Sequence, residues 1–277
     1  MRKICKECGQ TFDCNRSSRQ FCSCACSNAF TNRRRSEKFE LLHADSVWSC
    51  GAGIQSTAIA VLICNGVLPK PDYAFMADCG YESQKTLEFV RRVLQPKLAN
   101  AGVVLNVVPT ALYSTADLFD PSGHCVLPAF RLKEDGSISH LSTRCNGNWK
   151  RKVMVRWLRE QGVVKCENWI GISLDERHRA RGTKTEKWIS YRYPLIDLQF
   201  SRKACVDLIK SAKWEMPIRT SCVICPQRTQ FEWLRLKYEC PEDFERACKI
   251  EKEIQERDPR IYLSSRCKPL SSILDDE

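Results

Sequence analysis

The chain has 277 residues, enough for one sizeable domain plus an appendage, because a chain of this length buries roughly three quarters of its unfolded surface. With 43% hydrophobic and 28% charged residues it reads as a soluble globular protein, and its longest apolar stretch, Ala58 to Cys64, is far short of the ~20 residues a membrane helix needs. The net charge of +11 favours an anionic partner.

The amino terminus, MRKICKECGQ, is charged and has no apolar signal region, so the expected location is the cytoplasm, with no membrane partner. Eighteen cysteines in a reducing compartment point to metal binding or redox work before disulfides. Residues 1–40 hold nine Lys/Arg against four Asp/Glu, and residues 144–187 hold twelve against five, so two basic zones stand out.

The first zone is built on Cys5-x2-Cys8 and Cys22-x3-Cys26, the spacing of a four-thiolate zinc site. Cys14 and Cys24 are alternates for the fourth ligand, and Phe12 and Phe21 offer a miniature core. A segment this short cannot fold on its own core, whereas zinc supplies about 10–16 kcal/mol of apparent binding energy, so the metal would be structural. Arg16, Arg19 and Arg33-Arg34-Arg35 suit the phosphates of DNA or RNA, although such runs are more often a solvated face. Near residue 40 this core-poor segment gives way to alternating strand and helix patterns. The expected domains are therefore a zinc-binding basic module over 1–40 and an α/β domain over 41–277.

In the second domain Val47-Trp48 leads into Gly51 and Gly53, and Ser56 and Thr57 fall where a helix begins, with Ala58, Val61 and Leu62 on one face and Asn65-Gly66 as its stop. Glycines let the backbone approach a ligand, and the free amides of a helix start attract an anion with about 0.3–1 kcal/mol per charge, before any hydrogen bond. An ordinary glycine-rich turn competes with this reading, and without Gly-Lys-Ser/Thr the loop is not a Walker loop. The next apolar run, Tyr73 to Ala77, stops at Asp78-Cys79-Gly80, one strand–helix–strand unit after Ser49, so both turns belong at one sheet edge. There Asp78 could hold a magnesium-bound phosphate or a ribose hydroxyl, or simply cap a helix carrying Leu87, Val90 and Leu94.

Further strands are expected over 103–108, 169–172 and 193–196, and helices over about 148–161, 202–213, 229–238 and 241–256. This alternation predicts a doubly wound, mostly parallel α/β sheet that binds its ligand at the carboxyl ends of the strands. His124, His140 and His178 stand alone and are assigned nothing.

Ser49-x-Gly-x-Gly-x-Gln-Ser56, Phe75-x-x-Asp-x-Gly-x-Glu82 with Thr86, and Arg144-Cys145-x4-Lys150 resemble the phosphoadenosine phosphosulfate (PAPS) reductase and ATP-pyrophosphatase (PP-loop) superfamily. Gly171-Ile172, Asp175-Glu176-Arg177 with Arg179, and Tyr193 to Asp197 resemble its later blocks, so the likeness spans roughly 45–235. It implies a five-stranded, adenine-nucleotide alpha-hydrolase-like sheet. The nucleotide, ATP or PAPS with Mg2+, would lie on Ser49, Gly51, Gly53, Gln55, Ser56, Thr57, Asp78 and Gly171. Arg144, Lys150 and Arg179 would serve with Asp78 in catalysis, as cationic partners for phosphate or leaving group.

Gln55 stands where the ATP-cleaving branch usually has Asp, yet the Glu-Cys-Gly-x-His tail of the reductases is missing: the chain ends through Ser265-Arg-Cys267-Lys-Pro. The expected activity is therefore ATP pyrophosphatase chemistry that adenylates a substrate for sulfur transfer, on nucleic acid or a nucleobase, with a sulfur-donor protein as a further partner. Sulfonucleotide reduction and zinc-dependent nucleic-acid binding without catalysis are the alternatives.

Cys222-x2-Cys225 and Cys145 form a second cysteine set that the resemblance puts near the nucleotide, with Cys240 a candidate fourth. Three thiolates can hold a 4Fe–4S cluster with one open iron, and related thiolating enzymes resemble this arrangement. A second zinc, a redox disulfide and unligated core cysteines remain competing readings.

Overall fold

The structure, a computed structural model, describes residues 1–40, 43–115, 117–142, 144–181 and 186–272, with the side chains of 35–40 set aside. Arg35 of the first basic zone and residues 182–185 of the second therefore lie outside what is described. The chain divides into two units, Met1–Ala44 and Asp45–Glu277.

In the first unit, β1 (Arg2–Ile4) and β2 (Thr11–Asp13) pair antiparallel, and helix α1 (Cys24–Glu40) follows. The turn between the strands carries Cys5 and Cys8 and uses Gly9 at φ 72°, where a side chain would be strained. Phe21 packs against Phe30 of α1 with ring centroids 5.1 Å apart and planes tilted by 49°, while the Arg19 guanidinium lies over Phe12.

The second unit runs β3 (Asp45–Ser49), α2 (Ile54–Cys64), β4 (Tyr73–Asp78), α3 (Gln84–Phe89), α4 (Gln95–Asn100) and β5 (Leu105–Pro109). After these come β6 (Phe130–Leu132), β7 (Ile138–His140), α5 (Lys152–Glu160), β8 (Cys166–Ile170) and β9 (Ile189–Arg192). The remainder is α6 (Pro194–Asp197), α7 (Arg202–Ser211), α8 (Gln230–Glu239), α9 (Pro241–Arg257) and β10 (Ile261–Tyr262). Single π-helical stretches, Val90–Leu94 and Asn146–Arg151, interrupt the helical runs before α4 and α5.

Five strands in the order β5-β4-β3-β8-β9 form one sheet, and every pairing in it is parallel. Side chains alternate across it, as a strand requires. Trp48 joins a core with α2, α4 and α7 on one face, while its neighbour Val47 packs with Phe75, Val153, Trp157 and Leu158 on the other. Helix α2 is buried from Ser56 through Ile63, which explains its apolar residues on all sides: it is enclosed between the sheet and α7. Truncating Leu62 there to alanine would cost about 2–5 kcal/mol. A third core unites α8 and α9 with Trp149, Val223 and Ile224.

The expected strand over 193–196 is a correction: Pro194 opens the short helix α6, and the fifth strand is β9, just before it. Proline has no amide to give a strand ladder, but its fixed φ suits the first turn of a helix. An antiparallel sheet of order β10-β6-β7 accompanies the main one and was not expected from the chain pattern. Among the described residues no helix is long and apolar enough to cross a membrane.

Candidate functional site

Strand β3 has β4 on one side and β8 on the other, so the chain changes winding direction at β3, where doubly wound sheets open a crevice at their carboxyl edge. The loop from Ser49 to Gly53 lies at that edge. The Cys50 amide donates to the Phe75 carbonyl at 2.7 Å, tying the loop to β4, while Ser49 Oγ bonds Asn168 Oδ1 of β8 at 2.8 Å. Asn168 is only 2% exposed and was not singled out from the chain, because its role depends on strand register.

Three local features shape the loop. The residue in left-handed backbone is Ala52, at φ 55°, not either flanking glycine, so the turn carries strain of about 1–3 kcal/mol in a fully buried residue. The Gly51 amide is already used, donating to Ser56 Oγ at 2.9 Å, which leaves it out of the expected anion cradle. Gly53 caps α2 with no side chain, and the amides of a helix's first turn have no acceptor within the helix. The start of α2 thus has no side-chain cap.

Both other glycines serve clearance. A Cβ on Gly53 would meet Thr220 Oγ1 at 2.7 Å, and one on Gly171, just past β8, would stand 3.3 Å from the backbone of Gln55 and Ser56. Gly171 therefore lets the β8 edge close onto the start of α2. Thr57 Oγ1, by contrast, is buried without a hydrogen-bond partner among the described residues, so its side chain packs into the core. Asp78 ends β4, and its Oδ1 accepts from the Gly80 amide at 2.9 Å, shaping a tight turn with Gly80 at φ 76°.

The named cations divide into three places. Arg179 pairs with Glu176 at 2.9 Å, and the same Glu176 oxygen accepts from Gln55 at 3.4 Å, so Arg179 is coupled to the α2 start. Arg202 also reaches Gln55 Oε1, at 3.3 Å. Arg144 instead pairs with Asp120 at 2.8 Å, in the 118–125 turn, with no described contact to the β3–α2 loop. Hydrogen bonds from Ser122 and His124, with the Arg144 guanidinium, hold Asp120 down at about 2.

Lys150 belongs to the cysteine site. Its Nζ stands 3.8 Å from Glu82 Oε1. Desolvation works against the charge of this half-exposed side chain, but the Glu82 carboxylate and the neighbouring thiols outweigh it and raise its pKa. The π-helical stretch Asn146–Arg151 carries both Lys150 and Trp149; such stretches insert one residue and re-aim the side chains that follow.

The Val223 amide bonds the Tyr81 carbonyl at 2.7 Å, fastening the Cys222–Cys225 turn against the loop after β4. This contact brings Cys222 Sγ to 3.4 Å from Cys79 Sγ, and both thiols lie within 3.8 Å of Glu82 Oε1. Arg228 braces the turn through bonds to the Ser221 and Cys222 carbonyls at 3.3 Å. Cys145 borders the same core as Cys222, and burial together with the neighbouring thiols raises the pKa values of Cys145 and Cys225. Neither belongs to the compact Cys79–Glu82–Cys222 group, and Cys240 packs elsewhere on that core. Cys79 and Glu82 were missed as donors because their partner lies some 140 residues away.

In the first unit, Cys5, Cys8, Cys22 and Cys26 do come together, their sulfurs within 4.8 Å of one another. Cys14 instead turns toward the Met1 carbonyl, which leaves Cys26 as the fourth member. Burial opposes ionisation of Cys5, but amides of Cys8, Cys22 and Glu7 bring it to about 6, while the neighbouring thiols push Cys22 to about 12. Four thiolates cannot share this space without a cation. Arg19 is spent on structure, donating to the Phe21 and Cys22 carbonyls, and Arg33 pairs with Glu7.

No family model and no curated protein matches the chain. Similar solved structures include the U34-tRNA thiolase NcsA from Methanococcus maripaludis with its 4Fe–4S cluster, 14% identical, covering 99% of this chain and 87% of that one at a TM-score of 0.42. Another is phosphoadenylyl-sulfate (PAPS) reductase from Candida auris in its phosphate complex, 12% identical, covering 70% of this chain and 89% of that one at a TM-score of 0.42. The α/β assignment rests on this chain's own parallel sheet, which has the expected number of strands, five, with β9 in place of the strand expected over 193–196.

Proposed function

We propose that the second unit is an adenine-nucleotide-dependent enzyme that cleaves ATP to AMP and pyrophosphate, adenylating a substrate that then accepts sulfur. The observation that carries this reading is the uncapped start of α2 at the winding switch, with Gly171 allowing the neighbouring strand end to close on it. Amides at that terminus would hold phosphate oxygens, and Arg179, already coupled to Gln55, would add positive charge as pyrophosphate leaves. Asp78 Oδ2 has no partner among the described residues and is the carboxylate available to a magnesium-bound phosphate, which magnesium would polarise.

A substrate oxygen attacks the α-phosphorus and pyrophosphate departs; a sulfur nucleophile then attacks the adenylated carbon and AMP departs. Cys145, Cys222 and Cys225, three thiols near enough for their charges to act on one another, would serve the sulfur step, as the thiolates of a 4Fe–4S cluster with one iron left open. The first unit, with zinc on Cys5, Cys8, Cys22 and Cys26, would bring DNA or RNA to the enzyme, and a donor protein would renew the sulfur.

Reductive cleavage of PAPS is the second reading, favoured by Gln55. Against it, Cys267 is 7% exposed and burial raises its pKa, unlike a tail thiol that must swing onto a nucleotide. Incubating the anaerobically purified protein with ATP and with PAPS separates the two: pyrophosphate from ATP supports the proposal, and sulfite from PAPS with no pyrophosphate refutes it. Salt-sensitive nucleic-acid binding with turnover of neither nucleotide would leave only a binding protein.

A further inference from the structure

Glu82 is 5% exposed, and among the described residues its carboxylate receives no backbone amide, no hydroxyl and no guanidinium. Its contacts are the thiols of Cys79 and Cys222, at 3.7 and 3.8 Å, and the Lys150 ammonium at 3.8 Å, beyond direct hydrogen-bond reach. Lys150 offsets part of the cost of burying this carboxylate, but at a separation too long for a hydrogen bond, whereas a divalent cation between the thiols would meet it directly. Two of its three neighbours are soft metal donors.

The spacings decide between metal arrangements. Tetrahedral zinc with Zn–S of about 2.3 Å and Zn–O of about 2.0 Å separates two sulfurs by about 3.8 Å, and a sulfur from an oxygen by about 3.5 Å. The observed separations are 3.4 Å for the thiol pair and 3.7 and 3.8 Å for sulfur to oxygen, so each edge is within a few tenths of an ångström of that figure. The first unit shows the same scale, with Cys8–Cys22 at 3.6 Å and Cys22–Cys26 at 3.4 Å. Thiolates bound to different irons of a cluster stand further apart, because the metal core lies between them.

We infer that Cys79, Cys222 and Glu82 form a mononuclear site for a thiophilic divalent cation of the zinc class, with one coordination position left for an exogenous ligand. Three protein donors plus an open position is the pattern of a reactive zinc rather than a structural one. The site sits directly after Asp78, at the carboxyl end of β4. It takes Cys222 from the proposed iron–sulfur cluster, so the two groups exclude one another, and it does not depend on nucleotide cleavage.

The test is metal content of the full chain purified anaerobically, followed by Co2+ titration of the metal-depleted protein with thiolate-to-cobalt absorption as readout. Wild type should hold two zinc-class ions per chain. Cys79→Ser and Glu82→Gln should each hold one and lose one cobalt site, weakening it at least ~10–100-fold, the range seen even for second-shell changes. Cys145→Ser should keep both, and Cys8→Ser should lose the other ion. Glu82→Gln preserves shape, and its melting temperature checks folding. One ion per wild-type chain, unchanged content in Cys79→Ser, a Cys79–Cys222 disulfide in anaerobic protein, or iron with acid-labile sulfide that Cys145→Ser abolishes would each overturn the inference. That last result would still support the sulfur-transfer reading, whereas two ions without pyrophosphate release would sink that reading alone.

Discussion

A Cβ placed on Gly171 would stand 3.3 Å from the Ser56 amide nitrogen, so the end of β8 touches the start of α2 through a hydrogen atom where any other residue has carbon. The neighbour is backbone and cannot turn aside. Gly171→Ala is expected to cost about 1–3 kcal/mol of stability and to displace the amides that would meet phosphate. Gly53→Ala collides instead with the Thr220 hydroxyl, so it should be milder, and adding Thr220→Ala should restore it. Urea melts and ATP calorimetry on the three variants check this; equal, unrescued losses would show that clearance is not what these glycines provide.

Glu176 is shared between Arg179 and Gln55, which puts the Arg179 charge beside the end of α2 proposed to hold phosphate. The pair is largely exposed, so Arg179→Ala should change stability by less than ~1 kcal/mol. Nucleotide affinity should fall by ~10-fold or more, as for loss of a charge-assisted hydrogen bond worth about 1.5–3 kcal/mol. Arg179→Ala, Glu176→Gln should recover part of it. Calorimetry at two salt concentrations is the measurement, and an unchanged Kd for the single variant would exclude Arg179 from the site.

Features that repeat along the chain were legible before the fold was known. The apolar run, two glycines and Ser-Thr before a helix mark the β3–α2 loop, and strand–helix alternation marks a parallel sheet, since both follow from local periodicity. The four-cysteine group is legible because its members lie within 22 residues. What the chain pattern conceals is pairing across distance. Glu82 meets Cys222 only because the Val223 amide bonds Tyr81, and Asn168 meets Ser49 only in the β3–β8 register. Short apolar runs are ambiguous too: Pro-Leu-Ile-Asp suits a strand or one helical turn, and Pro194, with no amide for a ladder, decides for the turn.

Chelation should act on the two units unequally. The first has two three-residue strands, one helix and one pair of touching phenylalanines, too little apolar burial to fold unaided. The second has three buried clusters. If zinc holds this group, removing it, or Cys8→Ser, should open Met1–Ala44 to protease while the Asp45–Glu277 unit stays resistant, because about 10–16 kcal/mol of apparent metal binding is the folding energy of such modules. Mass mapping of limited digests with and without chelator gives the answer. Protection that persists across Cys5 to Cys26 in metal-free protein would count against a metal-built module.

The Asp120–Arg144 pair makes a prediction about pH whose sign follows from its direction of shift. Ser122 and His124 donate to the Asp120 carboxylate, Arg144 pairs with it, and its pKa falls from 3.8 to about 2. The ionised form is thus preferred in the folded state, so its contribution is fully present above pH 3.8 and disappears as pH falls through about 2. Asp120→Asn should lower the melting temperature by a constant amount above about pH 4, and the gap from wild type should narrow progressively below it. Arg144→Gln should show the same trend in smaller measure, because the Ser122 and His124 bonds remain. If Arg144 acts only through this turn, Arg144→Gln should also leave ATP affinity within ~2-fold of wild type, well under the ten-fold that 1.4 kcal/mol represents. A gap that widens toward acid would reverse the sign and remove the carboxylate from the account, while a large loss of ATP binding would return Arg144 to the nucleotide.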